Sequence, residues 1–268
     1  MRHKQKNGLK KLGGLVLAVL AMGTFTLLYY TLAEETSALP LGSPQETSSP
    51  AQKASSVASQ PLRDTATAFI SVPYISQEGL LPSGCETVSA VMLLQYYGWE
   101  TNVHDFIDGC LPRSDFWYED GQLTNVSPNE CFIGDPYQTT GLGCYAPVME
   151  DALNTFLAYE GASLRAVNTT GTDLQELCRR YIAQDTPVLV WASMEMRPLQ
   201  EGMRWKLSGS DDFFTWLSNE HCLVLVGYND DSYFFNDPYR SAGLVAYDKT
   251  LVERRYQELG MQSLALQD

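Results

Sequence analysis

The sequence predicts an α+β fold, with helices in the first half of the folded region and antiparallel strands in the second. Two helix-forming segments, 85–98 and 146–160, flank a long irregular stretch. From residue 187 onward, runs of β-branched and aromatic residues follow one another with short polar turns between them. Strands and helices do not alternate regularly, which argues against a parallel βαβ sheet.

Charge and length limit the classes of partner. Residues 64–268 are long enough to form one well-packed domain. The chain carries a net charge of −14, and residues 1–12 contain five basic and no acidic residues, so the remainder is more acidic than this total. An acidic body disfavours nucleic acid and negatively charged membrane surfaces as partners. We therefore expect no nucleic-acid partner.

The amino-terminal region predicts attachment to a membrane. Residues 13–33 form an uncharged stretch of 21 residues behind the basic end, long enough to span a bilayer. Positive flanks stay in the cytoplasm, so residues 1–33 predict a single-pass signal-anchor in the cell membrane, with the body extracellular. The alternative is a cleaved signal peptide that ends at Thr31 and Ala33 and yields a secreted protein. Residues 34–63 lack aromatic residues and predict a disordered linker before the 64–268 domain.

The domain opens with a strand, a loop and a helix that begins at a cysteine. The strand is expected at 69–77 and the helix at 85–98, with Ser83 as its cap. The elements that follow are, in order, a helix at 101–109, an irregular stretch at 110–142, a helix at 146–160, a strand at 162–167, a helix at 172–184, a strand at 187–194, a loop that contains Trp205 and 212–216, strands at 221–228, 232–236 and 243–247, and a helix at 249–259.

Cys85 is a candidate nucleophile. The first turn of a helix favours an anion, so this position lowers the pKa of a thiol and promotes the reactive thiolate. Gln77 lies on the other side of the same loop, where its amide could donate to an oxyanion beside the Cys85 N–H. The alternative is that Cys85 is a small buried residue at a helix start.

The strands at 221–228 and 232–236 predict a hairpin that brings His221 close to Asp237. A three-residue turn makes these two residues diagonal neighbours on one face, roughly 7–8 Å apart along the backbone. A carboxylate on one imidazole nitrogen fixes the tautomer and orients the other nitrogen toward a nucleophile. A two-residue turn would place them on opposite faces. Alternatively, His221 only ends a strand and Asp237 only forms a turn before Pro238.

Other polar residues have simpler explanations. We expect His104 to be an exposed helical residue and Asp135 to form a turn. The six cysteines form no CxxC and do not combine with histidines in a zinc pattern, so we expect no metal and no cofactor. If the body is extracellular, Cys110 and Cys131 are the best candidates for a disulfide, whereas a nucleophilic Cys85 must stay free.

The order glutamine, cysteine, histidine, aspartate lies within segments that resemble a known family. The segments are Val72–Gln77, Gly84–Ser89, Gly134–Pro136, Gly143–Pro147, His221–Tyr228 and Asn236–Pro238. They resemble the exported relatives of the bacteriocin-processing cysteine peptidases, family thirty-nine of the papain-like superfamily. In this chain, Gln77 lies eight residues before Cys85, where six are usual.

The resemblance implies a papain-like fold in which the cysteine helix packs on an antiparallel sheet. By it, Cys85 is the nucleophile, His221 the base, Asp237 the orienting acid and Gln77 the oxyanion donor. The expected function is a membrane-tethered extracellular cysteine peptidase that hydrolyses peptide or protein substrates. Two alternatives stay open: an amidase or acyl transferase on cell-wall peptides, and a catalytically silent surface binding module.

Overall fold

The secondary structure comes from a computed structural model that describes residues 63, 65–241 and 243–268. Within them, the helices are α1 (Cys85–Tyr96), α2 (Val103–Cys110), α3 (Ala146–Tyr159), α4 (Leu174–Arg180) and α5 (Lys249–Glu258). The strands are β1 (Ala68–Phe69), β2 (Arg113–Ser114), β3 (Trp117–Glu119), β4 (Gln122–Asn125), β5 (Phe132–Ile133), β6 (Arg165–Asn168), β7 (Val188–Ser193), β8 (Glu201–Leu207), β9 (Phe213–Leu217), β10 (Glu220–Tyr228), β11 (Ser232–Asn236), β12 (Leu244–Asp248) and β13 (Ser263–Gln267).

A seven-stranded antiparallel sheet forms the centre of the fold. Its order is β12-β11-β10-β7-β13-β6, and β1 pairs with the end of β10. The prediction ended the chain with α5 and missed β13, which lies between β7 and β6. Its residues 263–266 are buried, so this short terminal segment completes the core by pairing on both of its edges.

A four-stranded sheet, β3-β4-β8-β9, replaces the loop that was predicted around Trp205. That prediction was wrong: Met203, Trp205 and Leu207 alternate with Arg204 and Lys206 along β8, which is the period-two pattern of a strand, although the first four residues of β8 are exposed. Trp205 is the buried anchor of β8, and its indole N–H donates to the Val126 carbonyl at 3.1 Å. A third, two-stranded sheet pairs β2 with β5 in parallel.

Helix α1 begins at Cys85, as predicted, and lies in the middle of the molecule. Residues 85–94 are buried on every side of the helix, between α2 and α3 on one side and β10 and β7 on the other. Ser89 donates to the Cys222 carbonyl at 3.2 Å and joins α1 to β10. The predicted cap was wrong: Gly84 occupies the cap position, while the Ser83 hydroxyl donates to the Gln138 carbonyl at 2.9 Å.

The hairpin of β10 and β11 contains an irregularity that affects its register. The turn has the predicted three residues, 229–231, but beside it Tyr228 pairs with Tyr233 and Gly227 with Phe234, one residue out of the predicted register. A β-bulge between Leu225 and Gly227 then shifts the pairing by one residue, so that Val224 pairs with Asn236. The end of the hairpin farthest from the turn therefore has the register that the three-residue turn predicted.

The predicted disulfide between Cys110 and Cys131 is absent, because all six cysteines are free thiols. Cys110 belongs to the last turn of α2, whereas Cys131 precedes β5. The Phe132 N–H donates to the Pro112 carbonyl at 2.9 Å, so the strand pairing aligns this part of the chain with the residues after Cys110. Cys110 and Cys131 are therefore not aligned opposite each other.

The predicted signal-anchor, 1–33, and the predicted linker, except for Arg63, lie outside the described residues. Among the described residues, none of the helices is both long and apolar enough to cross a lipid bilayer. The membrane anchor stays a prediction.

Candidate active site

A cavity of about 370 Å³ lies where α1, β10 and the loop before α1 meet. Cys85, His221 and Gln77, three of the four predicted site residues, line it. The wall also contains Glu220 and an apolar group: Leu142, Met194, Met203 and Trp216. Asp237 does not line this cavity and instead contacts His221. The structure thus brings residues from both ends of the domain to one site.

The Cys85 sulfur lies between the strand that carries the histidine and a buried carboxyl. It accepts a hydrogen bond from the Cys222 N–H at 3.5 Å, and its S–H donates to Glu86 Oε2 at 3.3 Å. Burial, followed by the charges of Glu86 and Glu220, raises the pKa of the Cys85 thiol well above its ordinary value. The expected lowering was wrong, because the dipole of a helix contributes only about 0.3–1 kcal/mol and complete burial outweighs it.

His221 and Asp237 form a buried pair. The His221 Nε2 and the Asp237 Oδ1 are 2.7 Å apart, and each side chain is only 1% exposed. Among the described residues, His221 Nδ1 has no hydrogen-bond partner. Since a carboxylate accepts from Nε2–H, Nδ1 is left as the nitrogen that can take up a proton from another group.

Three further contacts hold Asp237 in place. The Tyr239 N–H donates to Oδ1 at 3.0 Å, the Tyr247 hydroxyl donates to Oδ2 at 3.2 Å, and the Asp237 N–H donates to the Gly243 carbonyl at 3.0 Å. Burial alone raises the pKa of Asp237, but the hydrogen bond and charge of His221 and these donors outweigh it and lower that pKa. Asp237 is therefore an anion held in a fixed orientation.

Gln77 lies at the edge of the same cavity. Its backbone N–H donates to the Pro238 carbonyl at 2.8 Å, which joins the loop before α1 to the segment that carries Asp237. The side-chain Nε2 makes only a long contact, 3.5 Å, with the Pro82 carbonyl, and Oε1 is buried without a partner in the described structure. The amide is thus weakly engaged, and its N–H groups are available to an oxygen in the cavity.

The two competing candidates have the simpler roles that were expected of them. His104 is exposed on α2, where its ring stacks on Tyr137 with a centroid distance of 5.4 Å. Asp135 Oδ1 accepts from the Tyr137 N–H at 3.1 Å, which is the contact of a turn-forming aspartate. Neither residue lines the cavity that contains Cys85.

Sequence reasoning missed two acidic residues, Glu86 and Glu220. Each lies next to a predicted site residue, and each is buried despite its charge. The Cys85 sulfur, one Glu86 carboxyl oxygen and one Glu220 carboxyl oxygen lie within 4.8 Å of one another. The available signal was an acid immediately after Cys85 and another immediately before His221, both in otherwise apolar elements.

Comparisons with known proteins identify relatives of this chain and its fold. The uncharacterized protein YvpB of Bacillus subtilis (strain 168) is 25% identical over 189 residues, which is 70% of each chain. The crystal structure of a candidate C39-like peptidase from Bacillus anthracis superimposes with a TM-score of 0.65 at 27% identity and covers 75% of this chain and 97% of that one. The fold is therefore the papain-like α+β fold that the sequence predicted.

A protein-family model identifies the family of this chain. The Peptidase_C39 like family matches residues 69–264, which contain Gln77, Cys85, His221 and Asp237 and nearly all of the described elements. Membership in this family indicates cysteine peptidase activity. The chain belongs to the Peptidase_C39 like family.

Proposed function

We propose that the chain is a cysteine peptidase in which Cys85 attacks the substrate and the His221–Asp237 pair moves the proton. One observation carries this proposal. His221 is held by Asp237 at 2.7 Å through Nε2, while Nδ1 has no partner in the described structure, and both His221 and Cys85 line one cavity. A base held by an acid next to a nucleophile is the arrangement that thiol hydrolysis requires.

The reaction follows from these positions. His221 Nδ1 accepts the Cys85 proton, and the sulfur attacks the substrate carbonyl, whose oxygen becomes an oxyanion. The Cys85 N–H, which has no acceptor inside α1, and the Gln77 amide stabilise that oxyanion. His221 then gives its proton to the leaving amine, which breaks the C–N bond and leaves a thioester. Water hydrolyses the thioester and restores the thiol.

This mechanism fits the raised pKa of the Cys85 thiol. A neutral resting thiol needs a base during the reaction, so Cys85 depends on His221 more than a preformed thiolate would. Asp237 favours the imidazolium that results, because its carboxylate is fixed and buried beside Nε2.

The shape of the site supports a peptide as substrate. A second cavity of about 770 Å³ shares Gln77 and Pro82 with the first and is lined by Tyr137, Tyr239 and Arg240, among others. The two cavities meet at Gln77 and Pro82 of the loop before α1, so an extended chain could run from the cavity that contains Cys85 into the second one.

We also propose that residues 13–33 anchor the enzyme in the cell membrane and that its domain is extracellular. Cell fractionation would test the anchor, and protease treatment of intact cells would test the extracellular location.

The proposed function predicts that Cys85→Ala and His221→Ala both abolish cleavage of a quenched fluorescent peptide library. Iodoacetamide labelling of Cys85, followed by mass spectrometry, measures the reactivity of the nucleophile and requires no known substrate. We expect His221→Ala to slow that labelling at least tenfold, because the base is gone. Glu160→Gln, on the surface after α3, serves as the control. Equal peptidase activity in wild type and Cys85→Ala would overturn the proposal.

A further inference from the structure

Glu86 is fully buried and contacts the proposed nucleophile. Its Oε2 lies 3.3 Å from the Cys85 sulfur, and its Oε1 accepts from the Cys144 N–H at 2.7 Å. A methyl group on Gly143 would lie only 2.4 Å from Oε1, so the chain before α3 closes tightly over the carboxyl. The carboxyl is therefore fixed at both oxygens, and one of them faces the sulfur.

Glu220 adds a second buried acid beside Cys85 and Glu86. One of its carboxyl oxygens, one from Glu86 and the Cys85 sulfur lie within 4.8 Å of one another. Glu220 Oε1 is buried without a hydrogen-bond partner in the described structure. No lysine or arginine of the described region forms an ion pair with either glutamate. Three acidic groups this close, without a neighbouring cation, cannot all be ionised, so the cluster retains protons.

The titratable groups that face Glu86 come from three segments. They are Cys85 on α1, Glu220, His221 and Cys222 on β10, and Cys144 and Tyr145 before α3. Burial raises the pKa of Glu86 to about 7 against the lowering effect of the Cys144 N–H. Burial and the charge of Glu86 raise the pKa of Glu220 well above its ordinary value. Glu86 therefore changes its protonation state near neutral pH.

We propose that protonated Glu86 is a further catalytic residue, which donates an O–H hydrogen bond to the Cys85 sulfur and stabilises the thiolate. This inference rests on the proposed role of Cys85 as nucleophile. When Cys85 gives its proton to His221, the sulfur changes from donor to acceptor, and the Glu86 hydroxyl becomes the donor in the same contact. No proton is gained or lost by Glu86 in this step.

The ionised form of Glu86 has the opposite effect. A carboxylate can only accept the S–H hydrogen, and it repels the thiolate at a distance of 3.3 Å. The same pair of atoms thus favours the thiolate when Glu86 is protonated and the neutral thiol when Glu86 is ionised. Cys85 should become relatively less reactive as the pH rises through the pKa of Glu86.

The experiment measures the rate constant for iodoacetamide labelling of Cys85 from pH 5 to 9, with mass spectrometry to distinguish it from the other five thiols. In wild type, we expect the rise in rate with pH to level off near pH 7. Glu86→Gln keeps a donor toward the sulfur and an acceptor for the Cys144 N–H at every pH. Its rate should keep rising and exceed that of wild type about tenfold at pH 8, which corresponds to one pKa unit.

Two further variants separate this role from a structural one. Glu160→Gln changes a carboxyl on the surface after α3, away from the site, and should keep the levelling near pH 7. Glu86→Asp shortens the side chain, so that its carboxyl no longer reaches the sulfur, and should remove the levelling, which tests the proposal even if Glu86→Gln fails to fold.

Parallel pH profiles for wild type and Glu86→Gln would overturn the inference, and so would a Glu86→Asp profile that levels off near pH 7 as the wild-type profile does. These outcomes leave the proposed function intact as long as Cys85 is labelled in wild type. If wild-type Cys85 is inert at every pH, the proposed nucleophile fails and the role of Glu86 fails with it.

Discussion

Asp237 shows how much one residue of this site depends on its surroundings. Its two carboxylate oxygens receive three donors, from His221, the Tyr239 backbone and the Tyr247 hydroxyl. Charge-assisted hydrogen bonds of this kind are roughly twice as strong as neutral ones. They stabilise the carboxylate and fix the plane of the imidazole, so the direction of Nδ1 is set by residues outside the cavity.

We predict that Asp237→Ala lowers kcat of peptide cleavage by about 10³-fold or more, because His221 loses the carboxylate that sets its tautomer and orientation. Tyr247→Phe removes only the donor to Oδ2 and should cost less than about tenfold, since Asp237 keeps its contacts with His221 and Tyr239. Steady-state kinetics on one fluorescent peptide measures both. Equal losses in the two variants would show that the carboxylate is not the orienting group.

Among the secondary-structure elements, the β10–β11 hairpin brings two residues that are distant in the sequence into contact. His221 and Asp237 are 16 residues apart, yet the bulge between Leu225 and Gly227 places them in the register that allows a 2.7 Å hydrogen bond. Gly227 lies at this bulge and also pairs with Phe69 of β1. A methyl group there would lie 2.6 Å from the Ala68 carbonyl oxygen, because β1 pairs closely at this point.

Gly227→Ala should therefore destabilise the protein by about 1–3 kcal/mol, the usual cost of overpacking a filled site. Relief requires β1 to move, since the obstructing atom belongs to the backbone of Ala68. Gly109→Ala is the matched control: a methyl group there meets nothing within 4 Å, and alanine favours helix α2. Urea unfolding of both variants provides the comparison, and equal free energies of unfolding would contradict the prediction.

These elements also show what the sequence could predict. Strong local signals identified α1, α3, β7, β10 and β11, since each has a clear apolar pattern or cap. Strand β13 has no such signal, because its burial comes from pairing with β6 and β7 on both edges. The bulge could not be predicted from the sequence either: beside the turn the pairing lies one residue out of the predicted register, and the extra residue of the bulge restores that register.

The site was predictable to the same extent. Four polar residues in a recognisable order pointed to Gln77, Cys85, His221 and Asp237, and the structure brings them together. The partnership of Glu86 with the sulfur was not predictable, since it depends on the direction of one side chain at the start of α1. The raised pKa of the thiol follows from that burial, which a helix position alone cannot reveal.

For the whole molecule, the acids at the site oppose one another in their effect on stability. Asp237 has a lowered pKa in the folded state. The stability that it contributes is therefore present when the pH is above its pKa in the unfolded chain, and it is lost as the pH falls through its pKa in the folded protein. Glu86 has a raised pKa of about 7, so the folded protein binds its proton more tightly than the unfolded chain does. The stability that Glu86 contributes is present when the pH is below its pKa in the unfolded chain, and it is lost as the pH rises through 7.

We predict that the free energy of unfolding is highest at mildly acidic pH and falls between about pH 5 and 7.5, with a contribution from Glu86 of roughly 3 kcal/mol. Glu86→Gln cannot ionise, so its stability should change less over this range. Glu160→Gln, on the surface after α3, should follow wild type. Urea unfolding at pH 4 to 9 measures all three. A wild-type curve that stays level or rises from pH 5 to 7.5 would mean that Glu86 is ionised in the folded protein, and the same carboxyl could then not donate to the sulfur at neutral pH.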